Sequence, residues 1–530
     1  MTGVSGPLPP DIVSLVAEAC ATAADVPALV FEDGLTVSRA GFAERVERFA
    51  GYLVERLEPG ERVAVMTANR AEFMIAWIAA AARGATLVAV NPGARDHDAR
   101  HVLADSGAVM AIVDAERRPL LVRLRDELPA LRELVDIHGP EPDGLARYRG
   151  PADLSLADVS LDPAAVTNVY YTSGSTGPPK GCMVDHGYWL RFAELYLSIY
   201  GLRPEDRLLT CLNFFYNDPP WQLLTALQAG TSFVAMRRFS VSRFWDVVRA
   251  NGITQLFGIA SIPSLLLTAE TSRADRDHGV RFAVQVGIPT PELHARLEER
   301  WGFPWLELYG LTETGIVTAM PPAAGGAMVG SGSVGVAVRD AELRLVDEHG
   351  DDVAAGEVGE LHVRAPGMMR GYLDRPEATA DAMGDGWFRT GDLLRRDGRG
   401  FLYFSGRAKD VIRRSGENVA ASEVEAVLRG HPKVADAAVV PVPDELRGEE
   451  LKAHVLLAGG EPAGSLPPEE LVGFCAERLA KHKVPRYVEY RAEDFPRTAS
   501  MRVAKQALRE ADASAPGPTW DREAERSPPR

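Results

Sequence analysis

The chain has 530 residues, a formal net charge of −16, and 46% apolar and 25% charged residues. That length allows two or three domains with ample core, and the composition is that of a globular protein. The acidic balance argues against nucleic acid or an anionic membrane surface as the main partner, but leaves room for a local cationic pocket.

In chain order, Met1–Pro10 lacks the basic start of a secretory signal. Arg62–Thr67 reads as a buried strand, Ala71–Ala82 as a helix and Thr86–Val90 as a strand. Asp98–Ser106 then reads as helix and Val109–Val113 as strand. The longest apolar stretch, Phe73–Val90, is broken by Arg83-Gly84, so helix then strand is expected rather than a membrane span. This alternation predicts parallel sheets covered by helices. After the loop-like Pro151–Pro163 come a strand over Val166–Tyr170, a helix over Gly187–Tyr200 and a strand over Arg207–Asn213. Helix resumes at Trp221–Leu227, followed by strand Thr231–Met236, helix Ser242–Asn251 and strand Ile253–Phe257. Beyond Gly310 the texture changes: Ala341–Asp347, Val358–Val363 and Phe401–Phe404 predict a small β-rich subdomain. Helix Ser422–Arg429, strands Val434–Val442 and Lys452–Leu457, and helix Pro468–His482 make a compact α+β unit. From Asp512 the chain is rich in Pro, Arg, Glu and Ser, which predicts disorder. The four cysteines are scattered without a CxxC pair, as in a cytoplasmic protein with reduced thiols and no zinc site.

Chemistry concentrates first in Tyr171–Gly181. Its eleven residues hold four Ser/Thr hydroxyls, three glycines and Lys180. Glycines expose backbone N–H groups, hydroxyls donate to phosphate oxygens and Lys180 adds charge, so the stretch reads as a phosphate cradle. Its spacing is not that of a Walker loop. Tyr309-Gly310-Leu311-Thr312-Glu313 is the second candidate, with a ring able to stack on a purine and a carboxylate able to hold Mg2+. In Trp387–Asp392, Asp392 could accept from two ribose hydroxyls or simply cap a turn.

Taken in this order, and with Gly406-Arg407-Ala408-Lys409-Asp410 and Gly416-Glu417-Asn418, these segments resemble the AMP-forming adenylating superfamily. That superfamily holds acyl- and aryl-CoA synthetases, adenylation domains and luciferases, and the resemblance runs from near the N-terminus to Arg509. It implies an α/β fold: an N-terminal adenylation domain over 1–408, a mobile C-terminal domain over 409–511 hinged at Lys409, and a tail over 512–530. The implied chemistry uses ATP and Mg2+ to make an acid–AMP anhydride, which a thiol then attacks, CoA being the expected acceptor. Thr172, Ser173, Gly174, Ser175, Thr176, Gly177 and Lys180 would cradle the phosphates. Thr312 would lie near the α-phosphate and Glu313 would bind the metal. Gly287, Ile288, Pro289, Tyr309 and Gly310 would hold adenine, Asp392 and Arg407 the ribose, and Gly416 would border the thiol tunnel.

Two departures from the family pattern stand out. The usual Gly-Lys near the C-terminus is Met501-Arg502 here, so either Arg502 or Lys505 must supply the cation, and arginine is not a conservative exchange. In the acid-binding segment, Tyr216 stands where many CoA ligases have His. Phe215, Tyr216, Asn217, Asp218 and Trp221 are the expected substrate pocket. The texture is nearest to acyl- and aryl-CoA ligases acting on a small carboxylic acid. Two alternatives stay open: the same chemistry aimed at nitrite for diazotisation in secondary metabolism or at a carrier protein, and a non-catalytic nucleotide-binding homologue.

Overall fold

The computed structural model describes residues 9–150, 154–172, 179–287 except 260, 290–322, 326–414, 417–444, 447–497, 503–514, 517 and 519–524. Packing divides the chain into two units, one of Met1–Glu342 with Val363–Phe388, the other of Leu343–His362 with Arg389–Arg530. Among the described residues, no helix is long and apolar enough to cross a membrane.

The first unit is built on the two parallel-rich sheets that the alternating pattern predicts. One has nine strands among the described residues, with a parallel centre running Pro27–Phe31, Ser232–Ala235, Arg207–Thr210, Gln255–Ile259, Phe282–Val286 and Trp305–Leu311. The other has seven, of which Glu133–Asp136, Met110–Val113, Arg62–Met66, Thr86–Ala89 and Val166–Thr172 run parallel. Lys180–Asp185 and Gly371–Tyr372 close its edge antiparallel.

Apart from Glu72 and the terminal Arg83, helix Ala71–Arg83 is apolar, and it is buried from Ala71 to Ala82, as expected for a helix enclosed by the core. It ends at Gly84, whose φ of 73° suits a residue without Cβ. Its Trp77 Nε1 donates to Asn168 Oδ1 at 2.8 Å, and its ring meets Trp189 of helix His186–Tyr200 at 5.1 Å. That second helix follows its strand directly, and Asp185 caps it by accepting from the Tyr188 N–H at 2.9 Å. Buried Asn69 donates to the Leu212 and Met236 carbonyls, both at 2.8 Å, and accepts from the Phe214 N–H at 2.8 Å. One side chain thereby anchors the segment leading to Asp218.

Helix Asp218–Ala229 starts three residues before the expected Trp221. Pro219 and Pro220 fall in its first turn, where backbone N–H groups have no helical acceptor, so proline is tolerated.

In the second unit, residues of strands Glu342–Val346, Val358–Arg364, Phe388–Arg396 and Leu402–Arg407 form a four-stranded sheet. The small β-rich part thus packs with the C-terminal residues. A second sheet centres on the long hairpin Val434–Asp444/Gly448–Leu457, with a core that includes Ile412, Val424, Leu451 and Val488. The helix expected over Pro468–His482 stops at Ala476, where the Cys475 carbonyl accepts from the Arg478 and Leu479 N–H groups in a tightened turn. The disorder expected from Asp512 is corrected for the described tail residues. Helix Lys505–Ser514 is formed, and Trp520–Asp521 pairs with Tyr487–Val488. Charge pairing offsets the polar composition: Arg486 meets Asp521 at 3.0 Å and Arg447 meets Glu523 at 2.9 Å.

Candidate active site

Strands Val166–Thr172 and Lys180–Asp185 bring Thr172 opposite Lys180 in an antiparallel ladder. The loop between them carries Ser173, Gly174, Ser175, Thr176 and Gly177, which lie outside the described residues. Glu313 sits in the turn joining Trp305–Leu311 to Gly315–Ala319. The turn is tied by the Leu311 N–H donating to Thr314 Oγ1 at 3.2 Å and by the Met369 N–H donating to the Glu313 carbonyl at 2.8 Å. At Gly310 the two strands touch backbone to backbone, since a Cβ there would lie 2.2 Å from the Gly315 oxygen.

These elements converge on one carboxylate. Thr172 Oγ1 and the Tyr372 hydroxyl each donate to Glu313 Oε1 at 3.2 Å. Lys180 Nζ lies 5.2 Å from the centre of the Tyr372 ring, a cation–π distance. Burial first, then the Glu313 charge, raises the Tyr372 phenol, so it stays a neutral donor. Tyr372 was not found from the sequence, because Gly371-Tyr372 carries no motif. An oxygen donor set of carboxylate and hydroxyls suits a hard cation such as Mg2+.

Thr312 stands beside Glu313, half-buried. Tyr309 is buried on its strand. Gly287, at φ 85°, donates its N–H to Glu307 Oε2 at 3.1 Å, and buried Glu307 is in turn met by His294 Nε2 at 3.2 Å. Ile288 and Pro289 lie outside the described residues.

The expected pocket residues separate into two groups. Trp221 is fully buried, stacked on Phe192 at 4.8 Å and edge-on to Phe257 at 5.1 Å, which makes it a core residue rather than a pocket wall. Phe215, Tyr216, Asn217 and Asp218 are half-buried. Phe215 and Tyr216 pack ring to ring at 4.1 Å, and Asn217 Nδ2 donates to the Tyr188 hydroxyl at 2.8 Å. Burial pushes the Asp218 carboxyl up to about 6, with the Trp221 indole acting the other way. Its charge is felt by the phenols of Tyr170, Tyr188 and Tyr216, and no cation pairs with it among the described residues. Tyr188 also feels the Glu313 charge.

In the second unit, Asp392 and Arg407 are cross-strand partners, with Arg407 Nε 2.8 Å from Asp392 Oδ1. Asp392 is 1% exposed, and its N–H donates to Thr390 Oγ1 at 3.0 Å. Lys409 lies in a single turn, Ala408–Asp410, and burial followed by the Arg407 charge lowers its ammonium. Lys505 Nζ sits 2.7 Å from Glu425 Oε1, and that carboxylate oxygen also accepts from the Val439 N–H at 2.7 Å. Gly416 and Arg502 lie outside the described residues.

Residues 16–373 match the AMP-binding enzyme family, and residues 423–502 match the AMP-binding enzyme C-terminal domain. A crotonobetaine/carnitine–CoA ligase of Citrobacter koseri is 32% identical over 503 residues, covering 91% of this chain and 95% of its own. An anthranilate CoA ligase solved with anthranoyl-AMP has TM-score 0.86 at 25% identity, covering 97% of this chain and 99% of its own. The o-succinylbenzoate CoA synthetase of Bacillus subtilis has TM-score 0.82 at 27% identity, covering 93% and 97%. The fold and these matches define an AMP-forming acid–thiol ligase. The chain belongs to the AMP-binding enzyme family of the AMP-forming adenylating superfamily.

Proposed function

We propose that the protein activates a small carboxylic acid through an acyl-adenylate and transfers the acyl group to CoA, with Lys409 as the hinge between domains 1–408 and 409–511. The observation that carries the reading is Glu313 held by the Thr172 and Tyr372 hydroxyls next to Lys180. In this reading a carboxylate oxygen attacks the α-phosphorus of ATP and pyrophosphate leaves. The CoA sulfur then attacks the acyl carbon and AMP leaves. Displacement at phosphorus depends on charge neutralisation and alignment more than on covalent help. Lys180 and the glycine-loop hydroxyls bear the phosphate charge, and Thr312 the α-phosphate side. Glu313 would hold Mg2+, which supplies positive charge to the phosphates. Asp392 and Arg407 would orient the ribose, Gly287–Pro289 with Tyr309 and Gly310 the adenine, and Gly416 the thiol path. The reaction cation is assigned to Arg502.

The acid is assigned to the surface of Phe215, Tyr216, Asn217 and Asp218. An uncompensated carboxylate at Asp218 favours an aromatic or small acid that also bears nitrogen. Of the acids in the relatives' names, carnitine, crotonobetaine and anthranilate carry nitrogen, whereas o-succinylbenzoate does not. The test is a panel of such acids with ATP and CoA, scored by mass spectrometry for AMP and thioester. CoA-dependent thioester formation is expected. AMP release that requires nitrite and an aryl amine and ignores CoA would overturn it in favour of diazotisation; thioester found only on an added carrier protein would move the acceptor.

A further inference from the structure

The first unit contains a cleft of about 750 Å3 that the adenylation chemistry leaves unused. It opens at the starts of strands Arg62–Met66, Thr86–Ala89 and Val166–Thr172, and its inner wall includes Val169, Met183 and Leu373. These three side chains belong to the apolar cluster on one face of the seven-stranded sheet, together with Tyr171. Thr172 and Tyr372, the direct chain neighbours of Tyr171 and Leu373, point from the opposite face to Glu313. Side chains alternate along strands, so the cleft backs onto the candidate site through one thickness of sheet.

At the mouth, Arg62 and Arg83 border the same space. Arg62 Nε is buried without a hydrogen-bond partner, and no carboxylate pairs with the Arg62 guanidinium among the described residues. Among the described residues, Arg83 pairs with the exposed Glu58, at 3.5 Å. A guanidinium that lines an apolar cleft without a carboxylate partner can recognise an oxyanion on an apolar tail, because its planar fork matches a carboxylate. Asp162 lies on the same rim, which favours a singly charged head over a phosphate dianion. The volume falls within the range of small-molecule sites.

We propose that this cleft is a second ligand site, separate from the acid and ATP sites, that binds an amphiphilic carboxylate with its head on Arg62 and its chain along Val169, Met183 and Leu373. The inference does not depend on which acid the enzyme activates. Isothermal titration of the full chain with sodium decanoate below its micellar range tests it. Saturable binding is expected in the wild type, weakened about tenfold or more in Arg62→Gln and lost in Met183→Trp, with ATP affinity retained in both. Circular dichroism melts accompany each variant, and if Met183→Trp does not fold the Arg62→Gln arm decides alone. No saturable binding, or binding equal in the wild type and Arg62→Gln, overturns the proposal. So does equal binding of decyltrimethylammonium, which would show that the head group is not read.

Discussion

Replacing Asp218 by asparagine removes a carboxyl that burial has pushed up to about 6 from an ordinary 3.8. The folded protein therefore holds this proton more tightly than the unfolded chain does. Stability falls as pH rises between those values, and the charged form costs up to about 3 kcal/mol above pH 6. Asp218→Asn should accordingly raise the melting temperature at pH 7–8 and leave it unchanged below pH 4. Equal melts at both ends would show that Asp218 is not strained. Loss of acid turnover in the stabilised variant would mark the carboxylate as retained for binding. At Glu313 the contrast is between the acid and its supports. Glu313→Gln should reduce ATP–pyrophosphate exchange by about a hundredfold, as removal of a charge stabiliser does. Tyr372→Phe removes one hydrogen bond worth about 1 kcal/mol and should reduce it only about fivefold. An equal loss in both variants would make Tyr372 more than a support. Glu313 and Asp392 could be proposed from the sequence because each sits inside a contiguous motif. Tyr372 and Asn69 could not, since their partners lie 59 and 143 residues away and only the folded sheet brings them together.

Helix Lys505–Ser514 bears on which side chain supplies the reaction cation. Lys505 is committed to Glu425, whose carboxylate is almost fully enclosed, so its removal leaves a buried charge short of a partner. Lys505→Met should destabilise the C-terminal unit by about 2 kcal/mol, with adenylation lost only as far as folding is lost. Arg502→Met should reduce adenylation by about a hundredfold. If Lys505→Met abolishes adenylation at full stability, the assignment reverses. Periodicity placed many of the elements but left out helices Ile12–Thr22, Arg39–Val54, Pro291–Trp301 and Lys505–Ser514, and it misplaced the ends of others. Helix Asp218–Ala229 shows why: prolines read as helix breakers are acceptable in a first turn, and the sequence does not say which turn is first.

For the molecule as a whole, the parallel α/β class was readable because short Val- and Ile-rich strands alternate with helices in the first unit. The described tail residues depart from the expected disorder because composition averages over residues, whereas Trp520–Asp521 is held by one short edge pairing and a few ion pairs. Trp520 packs against the core of the second unit. Trp520→Ala should therefore loosen that unit by about 1–2 kcal/mol and speed its proteolysis, while fragments of the first unit survive. A proteolysis pattern identical to wild type would count against the docked tail. The backbone contact at Gly310 has a different consequence. Because no side chain intervenes there, the spacing between Tyr309 and Glu313 is set by two main chains and offers nothing for substitution to adjust. Under the proposed assignment of the acid to residues 215–218, redesign toward new acids belongs there, where half-buried side chains can be exchanged without disturbing that main-chain ruler.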